Sequence, residues 1–141
     1  MSKMKYLINS VLIAGIIILG SAACQEDGSE DPLSVSAGSQ FNIAYNQEVI
    51  IENENLLLKF TEIKEDSRCP VNANCVWEGR LAIVIQANSN SIDLSIGGLS
   101  EPVKELEGYK ITLVDVVAPT PWAGVVAKND DYIVAILVEK I

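Results

Sequence analysis

Hydrophobic residues recur at every second position from Phe41 onward, which is the spacing of a β-strand with one buried face and not that of a helix. Turn-forming residues, such as those at 53–55 and 88–91, interrupt this alternation every several positions. The alternating segments are about seven in number: 41–45, 49–51, 56–61, 81–85, 92–96, 109–117 and 132–138. The pattern predicts an all-β domain that occupies residues 40–141.

Two of these segments predict how the strands pack. Residues 81–85 and 133–138 are apolar on both faces, so these strands belong in the middle of a packed sheet and not at an edge open to water. This favours a single β-sandwich with an immunoglobulin-like outline. A partly closed barrel is the alternative architecture. A helical turn is predicted only within 100–108, where charged residues crowd between two glycines.

The first 23 residues have a different pattern, that of a secretory signal. Lys3 and Lys5 are basic, residues 11–19 are apolar, and small residues fill positions 20–23. The apolar run is shorter than the roughly 20 residues that a membrane-spanning helix needs. We therefore expect residues 1–23 to be a cleaved lipoprotein signal peptide.

Cys24 stands directly after this segment, at the position where bacterial lipoproteins carry the cysteine that receives diacylglycerol. Lipoprotein signals usually have a large aliphatic residue three positions earlier, where this chain has Ser21, although signals of the Bacteroidota type are looser there. We predict a lipid anchor on Cys24, because two or three acyl chains hold a protein firmly in a bilayer. The alternative is an ordinary cleavage site followed by an incidental cysteine.

Residues 24–39 have few apolar side chains and several turn formers, which predicts a flexible acidic tether between the anchor and the domain. The acidic residues directly after Cys24 resemble the signal by which Bacteroidota send lipoproteins to the outer face of the outer membrane. An ordinary solvated linker is the alternative. We expect the domain to lie in the bacterial cell envelope, anchored to the outer membrane, facing either the cell surface or the periplasm.

Charge and composition narrow the possible partners. Loss of the signal would remove Lys3 and Lys5 from the 10 basic residues and none of the 19 acidic ones, so the net charge would change from −9 to −11. Such a surface repels phosphates, and no nucleic acid partner is expected. The chain has no histidine, which removes the commonest general base and metal ligand. We predict no metal, no cofactor and no catalytic residue.

Cys69 and Cys75 remain as an even pair in an oxidising compartment once Cys24 carries the lipid, which predicts a disulfide between them. They lie in the segment Asp-Ser-Arg-Cys-Pro, four residues, Cys-Val-Trp-Glu-Gly, which spans 66–79. This segment resembles a signature of small exported bacterial proteins and lipoproteins that have no assigned activity. The resemblance covers most of residues 40–140 and implies a shared extracytoplasmic β-domain, without catalytic residues.

Three side chains are candidates for a binding surface. Arg68 offers a fork that suits a carboxylate, and Trp77 offers an apolar platform. Trp122 follows two prolines in a stiff segment and could contact a sugar or a peptide. In the structural alternative, Arg68 pairs with Asp66 or Glu78, Trp77 covers the disulfide, and Trp122 folds back over the edge of the core.

Three functions fit these features. The first is a membrane-anchored binding or accessory module without catalysis, whose protein or glycan ligand the sequence does not identify. The second is a purely structural component of the envelope. The third is a hydrolase that acts on glycans with paired carboxylates, since acidic residues are plentiful.

Overall fold

Most strands of the chain bury every second side chain, and they assemble into two sheets whose apolar faces pack against each other. The structure, a computed structural model, describes residues 31–141. The predicted signal peptide and Cys24 lie outside the described residues. Within them the chain forms nine strands and, at Asn129–Asp131, a single 3₁₀ turn. The predicted all-β sandwich is confirmed.

The sheets differ in size and in how the chain runs through them. In chain order the strands are β1 (Leu33–Val35), β2 (Gln40–Ala44), β3 (Glu48–Ile51), β4 (Leu56–Asp66), β5 (Leu81–Ala87), β6 (Asn90–Ile96), β7 (Val103–Leu106), β8 (Tyr109–Ala118) and β9 (Ile133–Lys140). The first sheet has the order β1-β3-β4-β5-β6, and the second has the order β2-β9-β8-β7. Neighbouring strands are antiparallel except β1 and β3, which run parallel.

The core lies between the two sheets and is almost entirely aliphatic. Phe60 of β4, Ile83 of β5 and Ile136 of β9 are fully buried and belong to one hydrophobic cluster. The two strands predicted to be apolar on both faces do lie inside their sheets, β5 between β4 and β6, and β9 between β2 and β8. Burial of each large aliphatic side chain contributes about 1.5–3 kcal/mol to the stability of the fold.

The ordered chain begins earlier than the sequence pattern indicates. Residues 33–35 fall within the predicted tether, yet they form β1 and pair with 49–51 of β3. Ser36 donates a hydrogen bond of 2.7 Å to Glu52, and the backbone N–H of Glu52 donates to the carbonyl of Val35 at 2.8 Å. The prediction of a tether through residue 39 is therefore wrong for this segment, because polar and backbone contacts, together with the packing of Val35 and Ala37 against the core, hold it in place.

The predicted helical turn within 100–108 is also wrong, because this segment contains β7. A two-residue turn joins β7 to β8, and both of its residues, Glu107 (φ 53°) and Gly108 (φ 86°), have positive φ. Positive φ at both central positions matches the right-handed twist of a hairpin. In this edge strand Val103 and Glu105 are exposed, while Lys104 and Leu106 on the other face are half-buried.

The two ends of the sandwich carry different parts of the chain. At one end, residues 67–80 connect β4 to β5, and residues 119–132 connect β8 to β9. We call these connections the disulfide loop and the Pro-Trp loop, and together they form the tip. At the opposite end the backbone N–H of Ile141 donates to the carbonyl of Gly108 at 2.9 Å.

Candidate binding cleft at the tip

The disulfide loop leaves the first sheet through a narrow base. The backbone N–H of Ser67 donates to the carbonyl of Arg80 at 2.8 Å, and the N–H of Arg80 donates to the Ser67 hydroxyl at 3.2 Å. Beyond this base Cys69 and Cys75 form the disulfide, with Cα atoms 5.9 Å apart. The cross-link closes a small ring at the outer end of the loop.

Gly79 makes the base of the loop possible. A Cβ atom on Gly79 would lie 2.3 Å from both the Cα of Arg68 and the carbonyl oxygen of Ser67. A Cβ on Gly97, at the end of β6, would lie 2.3 Å from the Gly79 carbonyl oxygen. Three backbone segments therefore touch directly here, and only glycine permits that approach.

The Pro-Trp loop packs against the disulfide loop through polar contacts. The N–H of Val71 donates to the carbonyl of Pro121 at 3.0 Å, and the N–H of Ala123 donates to the side-chain oxygen of Asn72 at 2.8 Å. The Ala118–Pro119 peptide at the start of this loop is cis. The two loops thus form one continuous surface, although the disulfide loop belongs to the first sheet and the Pro-Trp loop to the second.

Arg68 connects both loops to the strands below them. Its Nε and Nη2 atoms donate to the two carboxylate oxygens of Asp66 at 2.8 and 2.7 Å, and Nη2 also donates to the Pro119 carbonyl at 2.9 Å. The Tyr132 hydroxyl donates to Asp66 at 2.7 Å. Because Asp66 ends β4 and Tyr132 precedes β9, this network joins the two sheets at the tip.

Burial and hydrogen bonding set the charges in this network. The side chains of Asp66 and Arg68 are only 16% and 17% exposed. Burial would raise the pKa of Asp66, but hydrogen bonds from Arg68 and Tyr132 outweigh that effect and hold the pKa below its ordinary value. Burial, together with the hydrogen bond to Asp66, raises the pKa of Tyr132 to about 12. At neutral pH the network is an ion pair joined to a neutral phenol.

An open cleft of about 410 Å³ lies above this network. Asp66, Arg68 and Tyr132 contribute to its lining, and Trp122, which is 54% exposed, stands on the Pro-Trp loop side. The remaining lining residues are Pro70, Pro119, Thr120, Pro121, Ala123, Gly124, Val125, Val126, Ala127 and Asp131. The lining combines a largely uncharged, proline-rich wall with a few polar groups, as ligand clefts commonly do.

The structure brings some of the predicted site residues together and separates others. Arg68 and Trp122 line the same cleft, whereas Trp77 lies outside its lining and is 61% exposed. The fork that Arg68 could offer to a ligand is directed at Asp66 of the same chain. Neither tryptophan is buried in the manner of the structural alternative.

Two residues of the polar network beneath the cleft, Asp66 and Tyr132, were not among the predicted site residues, although Asp66 was named as a possible partner of Arg68. Asp66 belongs to the distinctive segment 66–79, so its position two residues before Arg68 was an available signal. Tyr132 was counted only as the first residue of the last strand, because no sequence pattern indicates that its hydroxyl reaches β4.

Among residues 31–141, no group of three or more Cys, Asp or Glu side chains is placed to hold a metal ion. No helix of this part of the chain is long and apolar enough to cross a membrane. Comparisons of the chain with protein-family models, curated proteins and solved structures gave no match.

Proposed function

We propose that this protein is a lipid-anchored binding or accessory module of the bacterial envelope that works without catalysis. The observation that carries the proposal is the tip, where two loops from different sheets meet around an open cleft. The Asp66–Arg68–Tyr132 network holds the base of this cleft rigid, so the rim can present Trp122 in a fixed position.

The state of the carboxylates favours binding over hydrolysis. A glycosidase needs one carboxyl group with a raised pKa to act as general acid. In the cleft, the pKa of Asp66 is lowered by its hydrogen bonds from Arg68 and Tyr132. Asp131, the other acid of the lining, accepts a hydrogen bond of 2.7 Å from the backbone N–H of Lys128. Both carboxylates serve to hold the loops.

Exposed apolar side chains favour a binding role over a purely structural one. A structural component needs only to fold, and it gains nothing from apolar groups held in water. Around the cleft, Trp122 and Val125 are more than half exposed, and Val126 is 92% exposed. Contiguous exposed apolar surface is typical of interaction sites.

The anchor is part of the same proposal. Cys24 as a lipidated residue explains the odd number of cysteines, since Cys69 and Cys75 pair with each other. The acidic residues that follow Cys24 fit a tether that leads to the outer membrane. The domain would then act close to that membrane, on its periplasmic or its outer side.

Photo-crosslinking in intact cells tests the binding role. A photoreactive residue replaces Trp122 in one strain and Val103, an exposed residue of β7 outside the cleft, in a control strain. We expect a discrete crosslinked product, of protein, glycan or lipid, at position 122 and none at position 103. Equal crosslinking at both positions, in folded protein, would contradict a dedicated site and favour a structural component.

A further inference from the structure

We propose that the tip docks on the lipid bilayer, so that the surface of the membrane is what the two loops contact. This inference rests on the lipid anchor proposed above and identifies the partner of the same surface. Four observations support it: which side chains are exposed, where charges are absent, the direction from which the chain enters β1, and how far the tether reaches.

The tip carries the most exposed apolar side chains of its two loops at their outer ends. Val76 of the disulfide loop is 98% exposed and Val126 of the Pro-Trp loop is 92% exposed. Trp77 and Trp122, the only tryptophans of the chain, are 61% and 54% exposed on the same two loops. Tryptophan prefers the interface between lipid and water, and aliphatic side chains beside it insert below the headgroups.

The middle parts of these loops carry no charge although the protein is strongly acidic, and the charged residues of the loops, at positions 68, 78, 80, 128, 130 and 131, are close in sequence to the strands. Residues 69–77 and 116–127 contain no Asp, Glu, Lys or Arg, while the whole chain has 19 acidic residues and a net charge of −9. Arg68, at the base, is neutralised by Asp66 at 2.7 Å. A surface without charge avoids the cost of bringing ions to hydrocarbon and the repulsion that the acidic remainder would meet at anionic lipid.

β1 lies at the end of the first sheet away from the tip, level with Leu56–Leu58, but the chain runs into it from the direction of the tip. Val35 lies opposite Ile51, which pairs with Leu56, whereas Leu33 lies opposite Val49, which pairs with Leu58. The step from Val35 to Leu33 therefore has the same direction as the step from Leu56 to Leu58. Along β4 this direction leads to Asp66, where the tip begins. The first described strand therefore points back along the sheet toward the tip.

The length of the tether agrees with this direction. Cys24 precedes Leu33 by nine positions, a chain that spans at most about 30 Å. The level of Leu58 lies about 26 Å from Asp66 along β4. A fully extended tether can therefore bring a lipid on Cys24 to the level of Asp66, where the tip begins, and the short tether keeps the domain within one domain length of the bilayer.

Tryptophan fluorescence of the mature lipidated protein tests the proposal, because both tryptophans report on the tip without labelling. The protein is reconstituted into phosphatidylcholine vesicles with and without brominated acyl chains, which quench nearby tryptophan. We expect at least a twofold loss of emission with brominated lipid. In the Val76→Ser/Val126→Ser variant the loss should fall by half or more, and in the Val103→Ser control it should stay unchanged.

Flotation of the same vesicles separates failure of this inference from failure of the anchor. Protein that floats with the vesicles but is not quenched would overturn membrane docking while leaving the anchor intact. Lipid-modified chain that does not float would overturn the anchor itself. A tryptophan emission that shifts with protein concentration in the absence of lipid would assign the tip to a second copy of the chain and would also overturn the proposal.

Discussion

At the scale of single residues, Asp66 decides whether the tip keeps its shape. Its carboxylate accepts hydrogen bonds from Arg68 at 2.7 and 2.8 Å and from Tyr132 at 2.7 Å, so one side chain holds both loops to both sheets. Hydrogen bonds to charged groups contribute about 1.5–3 kcal/mol each when they are mostly buried. Removing the charge of Asp66 therefore weakens several contacts together.

The Asp66→Asn variant should lose about 2 kcal/mol of unfolding free energy at pH 7, measured by urea denaturation. The pKa of Asp66 is lowered in the folded protein from an ordinary value of 3.8, so the folded state favours the ionised form. This stabilisation is complete above the unfolded-state pKa and disappears as pH falls through the folded-state pKa. The difference between the two proteins should therefore shrink below about pH 4.

A surface pair provides the control for this prediction. Asp93 binds Lys64 at 2.8 Å, but the side chain of Asp93 is 64% exposed. Exposed pairs of this kind contribute about 0–1 kcal/mol, so Asp93→Asn should change stability little at any pH. Equal losses in the two variants would show that Asp66 is no more than another surface acid.

Gly79 offers a second prediction at the residue scale. Gly79→Ala would place a Cβ 2.3 Å from the backbone of Ser67 and Arg68, so the base of the disulfide loop must move. We expect a loss of about 1–3 kcal/mol, as for other overpacked sites, in thermal or urea unfolding. Gly124→Ala, where no atom lies within 4 Å but φ is 83°, should cost about 1 kcal/mol or less from backbone strain. A smaller loss at Gly79 than at Gly124 would contradict the close backbone contact.

At the scale of elements, alternation predicted the strands that build the core and missed those that do not. The segments from 41–45 to 132–138 all correspond to strands, because each buries one face against the opposite sheet. β1 and β7 contribute no fully buried residue, so hydrophobic spacing could not reveal them. Both lie at sheet edges, where backbone pairing and one partly buried hydrophobic side chain, Val35 in β1 and Leu106 in β7, form the strand.

The site was predictable only in part, for a related reason. The distinctive segment 66–79 pointed to Arg68 and the disulfide, because their residue types stand out along the chain. The pairing of Arg68 with Asp66 was part of the structural alternative, and the structure shows it. That Tyr132 would donate to Asp66, and that Trp122 but not Trp77 would line the cleft, depends on how distant segments meet. Spacing along a sequence carries no information about contacts between residues 66 positions apart.

The disulfide gives the prediction that belongs to this scale. The Cys69→Ser/Cys75→Ser variant should lose about 2 kcal/mol of stability in urea, since the cross-link closes only a short ring. Its far-UV circular dichroism should stay unchanged, because neither cysteine belongs to the hydrophobic core. The contacts of Val71 and Asn72 with the Pro-Trp loop should keep the tip assembled. Loss of cooperative unfolding would contradict a role restricted to the loop.

At the scale of the whole molecule, the two ends of the domain differ in their content of charged residues. Most of its acidic residues lie on the strands and on the other connections, while residues 69–77 and 116–127 at the tip carry no charge. The described chain begins on a strand that points back toward the tip, and it ends beside Gly108 at the opposite end. The position of the anchor should therefore determine which end of the domain faces the bilayer.

Moving the anchor from the N-terminal tether, which points toward the tip, to a position directly after Ile141, where no tether separates it from β9, tests this orientation directly. Cys24→Ala removes the natural site, and a cysteine added after Ile141 is then the only thiol outside the Cys69–Cys75 disulfide, ready for coupling to a maleimide phospholipid. β9 separates Ile141 from the tip by about 23 Å, so this anchor holds the far end at the membrane. We expect the protein to float with vesicles as before while brominated lipid quenches its tryptophans several-fold less. Equal quenching from both anchors would show that the tip finds the bilayer regardless of where the lipid is attached, and that the direction of β1 does not set the orientation.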